Sequence, residues 1–163
     1  MATITFKKGE EYMAKIAKLE ALTRDKVCGT AIYGAAEIVA DEIRDQLDKV
    51  PTYEGNDSFW AELPGPKKVQ KIGLEKSLGI AKMQDDGTGF LNVKIGFDGY
   101  NKVKTERWPN GQPNQMVARS IERGTSFMEP NPFVKPAMRK CRKRALDYMK
   151  ESVDKSIEEI MKG

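Results

Sequence analysis

The sequence contains no histidine and only two cysteines, Cys28 and Cys141, among its 163 residues. Histidine is the commonest general base near neutral pH and the commonest metal ligand, so its absence argues against a catalytic or metal-binding protein. The two cysteines lie far apart, form no zinc motif and fit a reducing compartment. No glycine pattern followed by Lys-Ser or Lys-Thr provides a phosphate loop. We therefore predict no enzyme activity, no cofactor and no bound metal.

Long hydrophobic runs are also missing from the sequence. No apolar run is long enough to cross a bilayer, and residues 1–8 lack the apolar core of a secretory signal. These features predict a protein that stays inside the cell in which it is made, or inside a particle assembled there, without contact with a membrane. The net charge of +4 permits contact with nucleic acid or with an acidic partner but requires neither.

The length and composition suit one folded unit. A chain of 163 residues that is 39% hydrophobic and 32% charged is typical of a single globular domain, here residues 1–163, with a sizeable core. Three segments have apolar residues at helical spacing, and they predict helices over residues 10–22, 24–49 and 133–161.

The two longer predicted helices have matched apolar stripes, which predict that they pack on each other or on the same sheet. The stripe of the first consists of Cys28, Ile32, Ala35, Ala36, Val39, Ile43 and Leu47, and the opposite face consists of Glu37, Asp41, Arg44 and Asp48. The stripe of the second consists of Val134, Met138, Cys141, Ala145 and Tyr148, extended by Met149, Val153 and Ile160. Both cysteines belong to a stripe, so we expect inert, buried thiols.

The middle of the chain predicts a small sheet. Leu78, Ile80 and Met83 begin it, a turn follows at residues 85–89, and apolar residues alternate with polar ones over residues 90–97. Residues 116–121 read as a short strand or a helical turn that joins the sheet. The predicted fold class is α+β, with a small antiparallel sheet of three or four strands packed against two long helices.

Two long segments, residues 52–71 and 98–114, are rich in helix and strand breakers and predict loops. The first contains Phe59 and Trp60, and the second contains Trp108 among lysines and arginines. The aromatic side chains either anchor their own loops or become buried against a neighbouring subunit. We expect both loops to be poorly ordered in a free chain and ordered after assembly.

A basic cluster on the last predicted helix leaves three interpretations open. It consists of Arg139, Lys140, Arg142, Lys143 and Arg144, all outside the apolar stripe. The cluster forms a solvated face, or binds phosphate groups of a nucleic acid. Alternatively, it pairs within or between subunits with an acidic face made of Glu37, Asp41, Asp45 and Asp48.

Residues 120–138 hold the most specific local pattern. Gly124 breaks the element before it, and three prolines follow within seven residues, at positions 130, 132 and 136. Because Pro136 fits only the first turn of a helix, the last helix is predicted to start within residues 132–135. Phe133 and Val134 would be the apolar residues that dock this start against the core.

The same residues carry a resemblance to a known family. The sequence Glu122-x-Gly124-Thr125, a gap, and then Pro132-Phe133-x-x-Pro136-Ala137 resembles the signature of the tail-completion (head–tail joining, gene-product-ten-like) proteins of tailed bacteriophages. The stretch Gly73-Leu74-Glu75-Lys76-Ser77-Leu78, after a helix that ends at Val50-Pro51, is similar to a second part of that signature. Residues 52–72 intervene where the family has only a few residues, and the order of elements agrees over residues 24–160.

The resemblance implies a structural role with no catalytic residues. The chain would form a homo-oligomeric ring, six-fold by similarity to other neck and tail rings, in the virion neck after assembly in the host cytoplasm. Its partners would be the connector or stopper and the tail tube or terminator proteins, with transient contact with passing DNA left open. Two alternatives remain: a tail terminator or other neck ring, and a basic nucleic-acid-binding protein that uses residues 139–144 and the loop around Trp108.

Overall fold

The structure is a computed structural model, and it describes residues 17, 20, 26–54, 63–85 and 91–162. The helix predicted over residues 10–22 lies mostly outside the described residues, as do Phe59, Trp60 and four of the five residues of the turn predicted at 85–89. In chain order, the elements are α1 (Cys28–Asp48), α2 (Lys68–Ser77), β1 (Leu78–Ile80), β2 (Gln84–Asp85), β3 (Leu91–Asn92), β4 (Ile95–Phe97), α3 (Asn114–Arg123) and α4 (Val134–Lys162). The α+β class is confirmed.

The two long helices, α1 and α4, pack against each other along much of their length. Small residues line the contact on both sides: Ala31, Ala35, Ala36 and Ala40 from α1, and Ala137, Cys141 and Ala145 from α4 are all buried. A Cβ at Gly34 would lie 2.3 Å from the ring of Tyr148, so this glycine lets α4 approach closely. The predicted packing of one long helix on the other is confirmed.

The buried stripe of α4 differs from the prediction at Met138 and Tyr148. Met138 is 55% exposed and Tyr148 is 38% exposed, whereas Ala137 is fully buried. The spacing of four residues from Ala137 through Cys141 to Ala145 explains the difference, because it defines a stripe in which Met138 has no place. Met138 was predicted to be buried because methionine is large and apolar. At a contact between closely packed helices, a small residue such as alanine is favoured instead. Cys28 is only half-buried, whereas Cys141 is buried as predicted.

The core lies where the C-terminal half of α1 meets α2, α3 and the start of α4. Its largest fully buried side chains are Leu47, Leu74, Ile121 and Phe133, together with the thiol of Cys141. The rings of Phe133 and Phe97 meet edge to face with centroids 5.9 Å apart, which joins α4 to the strands. The Lys71 ammonium donates to the carbonyl oxygens of Asp48 and Val50 at the end of α1, at 2.7 and 3.2 Å, so α2 also satisfies that helix end.

The sheet is smaller than predicted. Among the described residues, β1 pairs only with β4 and β2 pairs only with β3, both antiparallel, so two two-stranded sheets replace one sheet of three or four strands. The predicted strand over residues 90–97 is interrupted between β3 and β4. The amide of Met83 donates to the Tyr33 hydroxyl at 2.7 Å instead of to a strand, which helps to separate the two ladders.

Two further segments differ from their predictions. Residues 116–121 belong to the ten-residue helix α3, in which Val117, Ala118 and Ile121 are buried on one face. α2 begins at Lys68, inside the range 52–71 that reads as irregular from its breakers. Residues 98–114 are irregular as predicted, yet backbone bonds such as Asn101 to Gln112 (2.9 Å) order them within the single chain.

The burial of Ala137 in place of Met138 gives a matched pair of substitutions. Ala137→Asp should destabilise the fold by about 2–7 kcal/mol, because it places a carboxyl group in the core without a hydrogen-bond partner. Met138→Asp should remain within about 1 kcal/mol of the wild type, because the side chain is exposed. Urea unfolding followed by circular dichroism measures both. Equal tolerance of the two substitutions would show that the stripe is assigned wrongly.

Candidate functional site

Residues 121–135 form a tight corner between α3 and α4, and most of the predicted motif lies in it. α3 ends at Arg123, and the next residue, Gly124, adopts φ +76° and ψ 173°. A Cβ here would lie 2.9 Å from the Met128 carbonyl oxygen and 2.9 Å from Pro130. The amide of Thr125 then donates to the same Met128 oxygen at 2.8 Å and closes the turn. The positive φ and the close approach of the backbone both require glycine at this position.

Glu122 caps the start of α4 from a different helix. One carboxylate oxygen accepts from the backbone amides of Phe133 (2.8 Å) and Val134 (2.9 Å), and the other accepts from the amide of Lys135 (3.1 Å). The first amides of a helix have no partner inside the helix, and the helix dipole favours a negative charge beside them. Phe133 precedes α4 and has no side-chain acceptor of its own. Glu122 therefore supplies the cap that the local sequence lacks.

Asn131 connects the corner to the segment before α2. Its backbone amide donates to the Ile121 carbonyl at 2.8 Å, and its side-chain amide donates to the carbonyls of Pro64 (3.2 Å) and Glu129 (3.1 Å). The amide of Leu63 donates to the Phe127 carbonyl at 2.8 Å beside it. Asn131 was not among the predicted site residues. Its position between two prolines in the motif could have indicated this role, since asparagine side chains commonly form hydrogen bonds with backbone groups in turns.

The structure brings the predicted motif residues into this one corner, with different exposures. Phe133 and Ala137 are buried in the core, whereas Thr125 and Pro132 are exposed. Pro136 lies in the first turn of α4, where its missing amide proton leaves no hydrogen bond unmade. The buried members fix the helix to the core, and the exposed members shape the chain between the helices.

A groove of about 750 Å³ lies beside the corner. Its apolar surface comes from Ile43, Leu78, Ile80, Ile95, Phe97, Ala118 and Val134, and four exposed cations stand around it: Lys94, Arg119, Arg123 and Lys135. Its two carboxylates are already engaged, because Glu122 caps α4 and Asp98 accepts from the amide of Gly99 at 2.7 Å. The groove therefore suits contact with another molecule better than acid–base chemistry.

A buried glutamate joins the two long helices. Glu42 is 2% exposed, and one of its oxygens accepts from the Lys140 ammonium at 2.7 Å and from the Gln46 amide at 2.9 Å. The Arg144 guanidinium lies 3.7 Å from the other oxygen. The hydrogen bond from Lys140, followed by that from Gln46, lowers the pKa of Glu42 below its usual value of 4.5, although burial acts in the opposite direction.

The acidic partner of the basic cluster differs from the predicted one. Within the chain, Lys140 and Arg144 pair with Glu42 and not with the face of Glu37, Asp41, Asp45 and Asp48. Asp41 instead pairs with Arg44 on its own helix at 2.7 Å. Glu42 lies at the margin of the α1 stripe, one turn before Gln46 and beside buried Ile43. The presence of a carboxylate so close to the stripe was the signal that sequence reasoning missed.

Three other cations of the cluster remain on the outside of α4. Arg139, Arg142 and Lys143 are exposed, and none has an ion-pair partner within the part of the chain that the structure describes. Of the predicted interface residues, Lys140 is engaged with Glu42, while these three remain free to contact another molecule.

The predicted aromatic anchors are only partly visible. Phe59 and Trp60 lie outside the described residues. Trp108 is half-buried in its loop, with the Arg107 guanidinium 5.8 Å from its ring centroid. Its backbone amide donates to the Thr105 carbonyl at 2.9 Å, so the residue belongs to a local turn. Thr105 of this turn lines a cavity together with Thr125 and Met128 of the corner, and no contact joins Trp108 to the basic cluster among the described residues.

The described residues offer no arrangement that resembles a metal or thiol site. No group of three or more His, Cys, Asp or Glu residues among them is placed to hold a metal ion. Burial raises the pKa of the Cys141 thiol, which disfavours the reactive thiolate. A search of the described helices found none with the length and apolarity needed to span a membrane.

Comparisons with known proteins add no further constraint. No family model, no curated protein and no solved structure was found to match the chain.

The cap of α4 predicts a specific loss of stability. Glu122→Ala should lower the free energy of unfolding by about 1–2 kcal/mol, because three amides lose their acceptor and the helix dipole loses its counter-charge. The free energy of unfolding of Glu122→Gln should lie between those of Glu122→Ala and the wild type, since glutamine keeps an acceptor oxygen and loses the charge. Urea denaturation at neutral pH measures both effects.

Glu129→Ala is the matched control, because Glu129 is exposed in the same corner and its side chain has no hydrogen bond or ion pair within the described residues. We expect it to change stability by less than about 0.5 kcal/mol. A loss of stability in the control as large as that of Glu122→Ala would contradict the capping role.

The lowered pKa of Glu42 predicts acid sensitivity. A carboxyl group with a lower pKa in the folded state contributes stability above its unfolded pKa of about 4.5 and loses it as the pH falls through the folded pKa. The wild type should therefore exceed Glu42→Gln in stability near neutral pH, and the difference should shrink with acidification below 4.5. Urea unfolding over a pH series measures this difference, and a pH-independent difference would contradict the assignment.

Proposed function

We propose that this chain is a structural subunit of the head–tail junction of a tailed bacteriophage, where it completes the tail as part of a homo-oligomeric ring. The observation that carries the proposal is the cap of α4 by Glu122. The resemblance rests on residues eleven positions apart, Glu122 and Phe133, and a hydrogen bond of 2.8 Å joins them. The gap within the motif thus corresponds to one folded corner rather than to unrelated residues.

The chemistry of the described surface supports a structural role. The groove beside the corner has an apolar floor, a basic rim and carboxylates that are already engaged. The outer side of α4 carries three free cations, Arg139, Arg142 and Lys143. Both surfaces suit contact with other proteins or with a polyanion, and neither requires a reaction. A subunit that completes a tail needs contact surfaces of this kind and no catalytic residues.

The proposed partners follow from the proposed position. They are further copies of this chain, six in a ring, and the connector or stopper on one side with the tail tube or terminator on the other. Assembly would occur in the host cytoplasm, and the finished chain would belong to the virion. α4 has 29 residues and is about 44 Å long, and we propose that it contacts both a neighbouring copy and a second ring.

A nucleic-acid-binding protein is the second candidate, favoured by the same three cations on α4. Phosphate contacts release counterions, so the affinity of such a protein for DNA falls steeply as the salt concentration rises. The loop around Trp108 adds little to this candidate, because the ring is half-buried and stands beside Arg107 in a local turn. Stacking on single-stranded bases normally needs an accessible ring face.

Deletion of the gene from the genome that encodes it tests the proposal. We expect the deletion to yield DNA-filled heads and separate tails in negative-stain electron microscopy, and expression of the wild-type chain in trans should restore joined particles. Glu129→Ala should restore them as well. Joined particles from the deletion strain, or a genome that yields no tailed particles, would contradict the proposal. Unchanged particles together with salt-sensitive binding to DNA would support the second candidate instead.

A further inference from the structure

The first part of α4 carries an unusual charge distribution. From Val134 to Arg144 the helix has six cations and no acidic residue. Two of the cations, Lys140 and Arg144, turn towards Glu42 of α1. Of the other four, Lys135 lines the groove beside the corner, and we call the remaining three, Arg139, Arg142 and Lys143, the basic outer face. No ion pair within the described residues neutralises it.

α1 carries the opposite charge on its own outer side. Glu37, Asp41, Asp45 and Asp48 recur at spacings of four and three residues, and all are exposed. Arg44 stands among them and pairs with Asp41 at 2.7 Å. We call the three that remain, Glu37, Asp45 and Asp48, the acidic outer face. These three also have no ion-pair partner in the described part of the chain.

The two outer faces cannot neutralise each other within one chain. α1 and α4 pack through their stripes of small buried residues, such as Ala36 and Ala40 on one side and Cys141 on the other. Each outer face lies on the side of its helix away from that stripe, because its residues fall between the stripe residues at helical spacing. Three free anions and three free cations therefore point away from the same helix pair in different directions.

We infer that the basic outer face of α4 binds the acidic outer face of α1 in a second copy of this chain. The inference rests on the proposed ring and names the surfaces that join its subunits. Because the two faces are different surfaces of one chain, the contact is head-to-tail, and repetition of it closes into a ring when the rotation allows. A second copy of the chain would provide binding partners for both outer faces. A nucleic acid accounts for the basic face alone.

Apolar side chains at the edges of both faces provide contact area beyond the charges. Leu146 and Met138 are each 55% exposed beside the basic outer face, and Tyr33 is 36% exposed one turn before Glu37. Exposed ion pairs contribute little individually, whereas complementary sets of charges fix orientation and speed association. The charges would thus select the correct pairing of faces, and the apolar side chains would supply part of the affinity.

Two charge-reversed variants test the inference. Arg139→Glu/Arg142→Glu/Lys143→Glu makes both outer faces acidic, and Glu37→Lys/Asp45→Lys/Asp48→Lys makes both basic. At low salt and high protein concentration, the wild type should self-associate in sedimentation velocity, and each variant alone should do so at least about tenfold more weakly. An equimolar mixture should associate again, because every contact between unlike variants is complementary. Recovery in the mixture also shows that both variants are folded.

Lys82→Glu/Lys102→Glu/Lys104→Glu is the matched control, since these three lysines are exposed and lie outside both faces. This control should self-associate as strongly as the wild type does. Mixed with the variant in which both faces are basic, it should associate no more strongly than the wild type mixed with that variant. Association of the wild type that survives both reversals, a mixture that stays monomeric, or a wild type that is monomeric throughout would each overturn the inference.

The result separates this inference from the proposed function. If the gene deletion separates heads from tails but charge reversal leaves association unchanged, the chain joins the particle through other surfaces. If the reversed variants associate only as a mixture and the deletion has no effect on particles, the interface exists in an assembly of a different kind. If the basic face is needed for salt-sensitive binding to DNA and not for association, its ligand is nucleic acid.

Discussion

The position of α4 depends on the carboxylate of Glu122. The helix starts directly after a proline-rich segment and has no capping side chain of its own, so its first amides would lack partners without this residue. Glu122 fixes that start from the end of α3, and Gly124 turns the chain so that the start returns to the carboxylate. Phe133 then enters the core. This anchor and the buried small residues Ala137, Cys141 and Ala145 together account for the rotation of α4 about its axis.

That rotation decides which charges meet inside the chain and which remain outside. With Ala137 against α1, Lys140 and Arg144 reach buried Glu42, while Arg139, Arg142 and Lys143 face away. A rotation of one residue would bury Met138 and change this division. The cap at the start of α4 thus affects which charges lie on the outer side of the helix, more than one turn away. The proposed ring contact depends on this effect, because it uses only the charges that the fold leaves unpaired.

Much of the helical architecture could be read from the sequence. The apolar stripes predicted both long helices, and Gly124 with Pro136 predicted the end of one element and the start of the next. The predicted sheet had too many strands, because the alternation of apolar and polar residues over residues 90–97 indicates which side chains face the core. It does not indicate which backbone groups form hydrogen bonds with another strand. Ala137 was missed because closely packed helices favour small residues. The roles of Glu42 and Glu122 require contacts between distant residues, which a single sequence does not reveal.

A cryo-electron microscopy map of the particle neck would test the central claim most directly. The proposed function predicts a closed ring of this chain between the connector and the tail tube, with the corner at Glu122 intact in every copy. It also predicts the basic outer face of each α4 against α1 of the next copy. A neck whose density is fully explained by other proteins would contradict the proposed function. A ring with DNA along Arg139 and Arg142 and no α1 beside them would contradict the proposed contact.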